Sequence, residues 1–418
     1  MSQPKRVVRV VEKFDLLKLV QDGIDEIGID DSFFVTDVGD VIKKFLLWKE
    51  LFPRIDPDYA IKSNNLSFVA NTLAALGTGF DCASHGEMKQ VLDMGVDPDK
   101  IVLAQTVKPI HNIKMAKDKS VYKMTFDNEY ELLKVKEHFP NADLLLRLAF
   151  LPKSSNKIEF GAKFGCTLET GKSLLKKASE LNVNVRGVAF HIGVGCEDDN
   201  IYTKAIEDSA EIFKIGSALG HKMDFLDIGG GFPGHDTDSV KAVASIINDA
   251  IDKHFSAPNI KIVSEPGQFF ATHCMTLIVN VHSKAIKLNE KGDEIPNYYI
   301  TDGIYQSFSM KGSGGSNPTP LVIKTLRDTS KLSLKKSVIW GRTCDPNDQV
   351  ESEILLPELK CGDWLMLENF GSYRITTSSS FNGFPQHPSF NYIERDIWET
   401  FKSMKLPNID IDYDVIEN

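Results

Sequence analysis

The sequence predicts an α/β fold: an eight-stranded parallel β/α (TIM) barrel with a second, mostly β domain. Two observations predict it. From about residue 37 to 269 a short β-prone run, a turn and a helix-length amphipathic stretch recur about eight times. From about residue 270 that rhythm gives way to strands joined by turns. Strands alternating with helices make a parallel sheet. Eight of them close most naturally into a barrel, with a doubly wound open sheet as the rival.

The apolar runs are DYAIK (58–62), GFDCA (79–83), IVLAQ (101–105), YKMTF (122–126), DLLLRLAF (143–150), VRGVAFHIG (185–193), MDFLDIGG (223–230) and IKIVSEPG (260–267). Between them LSFVANTLAAL, HGEMKQVLDMG, IHNIKMAKD, EYELLKVKEHF, ETGKSLLKKASELN, IYTKAIEDSAEIFKIGSALG and DSVKAVASIINDAIDKHF read as helices. Later, MTLIVNVHSKAIKL, NYYITDGIY, PLVIKTL and DWLMLENFGSYRI read as strands, and KGSGGSNP (311–318) as a flexible loop. The N-terminal RVVRVVEK needs pairing partners and is expected in the second sheet. The division expected is 1–36 joining the β domain, 37–269 as the barrel and 270–418 as the C-terminal β domain.

With 418 residues, 42% of them hydrophobic, the chain supports a large core and about two or three domains. A net charge of −10 and a pI near 5.6 argue against nucleic acid as a partner. No apolar run approaches a membrane span, and the first twenty residues carry charges where a signal peptide needs its apolar segment. Cysteines at 82, 166, 196, 274, 344 and 361 form no Cys-x-x-Cys pair, so neither a zinc site nor a disulfide framework is expected. These features suit a soluble protein of the reducing cytoplasm, binding no metal.

A barrel gathers its chemistry where strands end, on the C-terminal rim. Those ends carry Lys62, Asp81, Arg147, His191, the triplet Gly229-Gly230-Gly231 and Glu265. Taken singly each has a bland reading. Lys62 could lie on the surface just past a strand, because lysine is costly to bury unpaired. Asp81 could cap a helix, Arg147 could pair with it, and His191 could be a satisfied core histidine. Together on one rim they make a site. Glycines let backbone N–H groups approach an anion, and the last strand-to-helix loops of barrels often hold a phosphate. A lysine amine, a carboxylate, a flat imidazole and a phosphate nest suit pyridoxal 5'-phosphate: the amine condenses with the aldehyde, the carboxylate keeps the ring nitrogen protonated, and the imidazole stacks on the ring.

The motifs YAIKSN, TGFDCAS, MTFDNE, KFG, FHIGVGC, LDIGGGFPG, SEPG, WGRTCD, GDWLMLENFGSY and SSFNGF resemble those of the eukaryotic ornithine decarboxylases, from about residue 30 to 400. That family belongs to the barrel-type pyridoxal phosphate enzymes, and the resemblance implies the alanine racemase-like form of the barrel. It implies that Lys62 carries the cofactor, His191 stacks on it and Glu265 meets its ring nitrogen. Gly230, Gly231, the turn of Glu265, Pro266 and Gly267, and Tyr373 would hold it, with Asp81 and Arg147 beside them. Cys344 would reprotonate the α-carbon, Asp345 would bind the distal ammonium of L-ornithine, and Phe381 would lie at the same interface. The implied assembly is a homodimer with shared active sites, and a salt bridge between Lys163 and Asp348 across it.

Three departures from the family pattern stand out. Val194 replaces a serine and Gln268 an arginine that bind the phosphate. Ungapped counting puts Ser313 and Gly314 where the family has a Tyr-Asp pair in the substrate pocket. A lost charge-assisted bond costs roughly 1.5–3 kcal/mol and a lost neutral donor about 1, so cofactor affinity is expected to be weakened. Arg342, where the family has proline, is a candidate for compensating the pocket. The first functional expectation is decarboxylation of ornithine to putrescine. The second is a non-catalytic regulator like the antizyme inhibitors, with antizyme binding the segment that carries Lys108, Lys114, Lys117 and Lys119; a solvated helix face also explains those lysines. A decarboxylase for lysine, arginine or diaminopimelate is the third. Because the chain stops soon after NYIERDIWETFKSM, antizyme-driven turnover through an extended C-terminal signal is not expected.

Overall fold

Residues 7–150, 163–193, 200–312, 323–404 and 413–417 are described by the computed structural model. Strands β1 (Val7–Val11) and β2 (Phe33–Asp37) precede a run of eight that closes on itself. These are β3 (Asp56–Ala60), β4 (Gly79–Cys82), β5 (Ile101–Leu103), β6 (Lys123–Phe126), β7 (Asp143–Leu148), β8 (Val185–Phe190), β9 (Phe225–Asp227) and β10 (Lys261–Ser264). Every neighbouring pair is parallel, and β10 returns to β3 with Val263 beside Asp56. Most barrel strands are buried along almost their whole length, because helices cover the outside while side chains fill the inside. Local chemistry sets the helix starts: Ser84, Asn128, Thr167 and Asp236 each accept a bond from a backbone N–H in the first turn that follows.

The remaining strands are β11 (Met275–Leu288), β12 (Glu294–Ile300), β13 (Ile323–Thr325), β14 (Lys335–Trp340), β15 (Gln349–Leu356), β16 (Trp364–Leu367), β17 (Ser389–Glu394) and β18 (Asp414–Glu417). With β1 and β2 they form a ten-stranded sheet in the order β15-β14-β12-β11-β2-β17-β1-β18, with β16 bridging β11 and β13. The chain's first strands therefore lie among its last. Among the described residues no helix is long and apolar enough to cross a membrane.

Several elements escape the sequence reading. The helix Val38–Leu51 was not expected, yet it drives Trp48 into a cluster with Phe52, Phe232, Phe269 and Phe270. That cluster pins the loops after β9 and β10. Strands β14, β15 and β17 and the helices Leu16–Ile27 and Arg395–Ser403 were also missed. The run DYAIK does not carry its strand to Lys62: β3 ends at Ala60, and Ile61–Ser63 form a single 3-10 turn. The reason is tertiary. Ser63 O accepts from Tyr373 N at 2.8 Å and Lys62 O from Thr376 Oγ1 at 2.9 Å, so the loop after β16 takes the bonds a longer strand would need.

Candidate active site

Side chains on a barrel strand alternate between inside and outside. Val102, Leu145, Ala189, Phe225 and Val263 form one inward layer. Two residues further along four of those strands, toward the C-terminal rim, the same parity delivers Arg147, His191, Asp227 and Glu265. The layer that follows the apolar one is thus charged and polar, and Lys62 and Asp81 join it from the β3 and β4 ends.

Lys62 Nζ forms a short ion pair with Asp81, whose side chain is fully buried. Burial pushes the lysine down, but the carboxylates of Asp81 and Glu265 outweigh it and hold the amine above its ordinary value. Asp81 Oδ1 has no hydrogen-bond partner among the described residues, so this carboxylate has accepting capacity to spare. Tyr373 sits close to Lys62, with a positive φ of 54°. An L-residue in the left-handed region costs on the order of 1 kcal/mol and is held there by its surroundings.

His191 accepts from Gly193 N at its Nδ1 (2.9 Å), and burial with the neighbouring Arg147 and Lys62 pulls its value down to about 3. It is a neutral, flat ring at physiological pH. Its Nε2 lies 3.3 Å from where a Cβ on Gly230 would be, and that same Cβ would stand 2.4 Å from Glu265 O. Gly231, at φ +103°, would put a Cβ 2.0 Å from Gly193 O. No side chain fits here, so backbone lines this corner. Gln268 is buried against it, its Nε2 donating to Gly231 O at 3.4 Å, and Pro266 and Gly267 are buried beside it. These residues fit pyridoxal phosphate: Lys62 for the aldehyde, Glu265 for the ring nitrogen, His191 for the ring face and the glycine corner for the phosphate. What position 268 contributes to that corner is a neutral amide.

Cys344, Asp345 and Phe381 form a second group. Asp345 accepts a short bond from the Tyr305 hydroxyl, which holds its carboxyl below its usual range, and Asn347 N donates to it at 2.8 Å. The Phe381 ring lies 4.4 Å from that of Tyr305, and Cys344 N donates to Asn382 Oδ1 at 3.2 Å. Cys344 and Phe381 are exposed. These contacts run to Tyr305, Asn347 and Asn382 rather than to Lys62.

Three expectations are corrected. Asp348 is buried and already accepts from Ile304 N, Thr343 N and Thr343 Oγ1 at 2.6–2.9 Å, so it is not placed to reach Lys163 of another copy. Arg342 is committed to Asp31 (2.8 Å) and stacked on Phe384, so it does not compensate a substrate pocket. Lys108 is not on the surface. It is buried with Glu131 at 2.9 Å and Thr125 O at 2.6 Å, and burial pushes it down to about 8, whereas Lys114, Lys117 and Lys119 are exposed. Val194, Ser313 and Gly314 lie outside the described residues. Asp227, Tyr305 and Thr376 were missed. Inward parity in MDFLDIGG signals Asp227, but only once the run is known to be a barrel strand.

Residues 38–272 match the family model described as the pyridoxal binding domain of pyridoxal-dependent decarboxylases. The chain is 39% identical to antizyme inhibitor 2 of Xenopus laevis, over 94% of this chain and 87% of that protein. It is 38% identical to ornithine decarboxylase of Rattus norvegicus, over 94% and 88%. The crystal structure of the Paramecium bursaria Chlorella virus arginine decarboxylase superposes with a TM-score of 0.84 at 33% identity, covering 90% of this chain and all of that one.

Proposed function

The chain belongs to the pyridoxal-dependent decarboxylases, and from that premise we propose that it removes the carboxylate of L-ornithine in the cytoplasm to give putrescine, a step of polyamine biosynthesis. The observation that carries the reading is the intact constellation at the barrel mouth: Lys62 between Asp81 and Glu265, with neutral His191 over the glycine corner.

Pyridoxal phosphate, when bound, supplies the electron sink for the pair left behind as CO2 departs. The chain's residues do the rest. Lys62 would hold the cofactor, and Asp81 keeps its amine placed. Glu265 would hold a proton at the ring nitrogen, and His191 would contribute a flat, uncharged face. Asp345, tied down by Tyr305, offers a carboxylate to a terminal ammonium, and Cys344 beside it returns a proton to the substrate's α-carbon. Since Cys344, Asp345 and Phe381 are turned to the surface, the reading includes a homodimer in which these residues of one copy complete the Lys62 site of the other.

A second reading, a non-catalytic regulator that binds antizyme, is favoured by the neutral Gln268 at the glycine corner and by the similarity to antizyme inhibitor 2. Release of CO2 from labelled ornithine across a pyridoxal phosphate titration separates the two. Saturable release that vanishes in Lys62→Ala supports the decarboxylase; none at any cofactor concentration leaves the regulator. Mixing Lys62→Ala with Cys344→Ala tests the shared site. Random re-pairing makes about half of the dimers mixed, each with one complete site, so about a quarter of wild-type activity should return. No recovery would overturn the shared site.

A further inference from the structure

Asp227 takes no part in the account above, yet it is almost fully buried, on β9, with Val263 of β10 as its neighbour in register. Glu265 follows two residues after Val263, also buried. One residue, Gly229, is bonded to both. Gly229 N donates to Asp227 Oδ1 at 2.8 Å, while Gly229 O accepts from Glu265 N at 2.8 Å and from Ser264 Oγ at 2.6 Å. The two carboxyl groups also meet each other in a side-chain hydrogen bond. Asp227 Oδ2 is buried and finds no donor among the described residues. Its facing group, another carboxyl, can donate nothing unless one of the two carries a proton.

Two ionised carboxylates side by side in a buried site are strongly disfavoured; one proton between them relieves the repulsion and fills the missing bond. The surroundings reinforce this. Asp58 from β3 and Asp81 from β4 add negative charge around Asp227, so burial and these neighbours raise it to about 7. Glu265 is raised too, by burial and then by Asp227 and Asp81, though Lys62 and Arg147 face it with positive charge. His191, from beyond β8, is neutral.

We propose that Asp227 and Glu265 hold a single proton between them, and that Asp227 is the positioning residue keeping Glu265 directed at the cofactor's ring nitrogen. The role toward the nitrogen rests on the pyridoxal phosphate reading of the site; the shared proton does not. With positive charge gathered on the Glu265 side, the proton resides on Asp227, which donates to one Glu265 oxygen and leaves the other free.

Infrared spectra of the cofactor-free protein near neutral pH test the shared proton. The wild type should show a protonated-carboxyl band that is missing from both Asp227→Asn and Glu265→Gln, since either amide supplies the N–H and leaves the remaining carboxyl ionised. Asp58, itself raised to about 8 by burial, gives a separate band identified with Asp58→Asn. A band that survives Asp227→Asn, or is lost in only one of the two variants, overturns the shared proton. Cofactor affinity, followed by visible absorbance, tests the positioning role. Asp227→Leu should weaken binding about tenfold or more, and Asp227→Asn should restore it to within about threefold, because the amide keeps the donor. Equal losses in both variants would reduce Asp227 to a space-filler and overturn the role. A wild type that binds no pyridoxal phosphate would overturn the site reading and the positioning role together, while the infrared result stands on its own.

Discussion

Lys62, Asp81 and Glu265 stand on a closed barrel with no sheet edge, their backbone held from two sides by the loop after β16 and by the glycine corner. Cys344, Asp345 and Phe381 stand in turns beside the ends of the second sheet, and Phe381 is 43% exposed. In the first region Asp81 and Glu265 are buried, Lys62 is half-buried, and the charges answer one another, so the values of Lys62 and Glu265 move far from the ordinary range. In the second, Asp345 is satisfied by Tyr305 and Asn347, but the aromatic pair of Tyr305 and Phe381 is left uncovered on one side. The difference teaches that a barrel mouth can organise a cofactor cup within one chain, while a surface ledge acquires a role only by facing something else.

The comparison breaks most violently if the cup is filled. Gly231→Ala forces a Cβ into Gly193 O at a left-handed φ, so it should cost at least about 2–3 kcal/mol of stability and abolish cofactor binding. Denaturant unfolding and absorbance titration read both, and a variant as stable as wild type would show that the corner yields.

His191 sharpens the contrast through pH. Its folded value of about 3 lies below the unfolded value near 6.5, so between these limits the unfolded chain binds the extra proton and stability rises with pH. Its contribution should fall by about 2 kcal/mol between about pH 7 and pH 5, and the wild type minus His191→Phe difference in unfolding free energy isolates it. A flat difference across that range would mean the ring is not held neutral by burial.

A smaller effect is expected from restoring a cation at the glycine corner. Gln268→Arg should tighten pyridoxal phosphate binding about tenfold, and unchanged affinity would remove position 268 from the phosphate corner. At the ledge, Asp345→Ala should leave the denaturant midpoint close to that of the wild type while turnover of ornithine collapses. A large loss of stability there would make Asp345 structural rather than substrate-binding.

Much of the cup could be read from the chain because strand ends are written locally. Lys62, Asp81, Arg147, His191 and Glu265 each lie at or near the end of an apolar run, and barrel geometry sends such positions to one rim. Asp227 was passed over because the glycine triplet after it was read as the end of that run, whereas β9 ends at Asp227 itself. Arg342, Asp348 and Lys108 were misplaced for another reason: a charged residue in a turn looks free in sequence, and only folding brought Asp31, the Thr343 donors and Glu131 to them.

By itself the sequence determined the alternation of eight strands with helices, the polar residues at their ends and the glycines between, since periodicity and backbone sterics act over a few residues. Tertiary structure alone decided that Lys62 sits in a turn clamped by Thr376 and Tyr373, that β1 takes β17 and β18 as its partners, and that Asp227 meets Glu265. Each of those joins distant parts of the chain, and the burial and charge that perturb a titrating group come from whatever the fold packs around it.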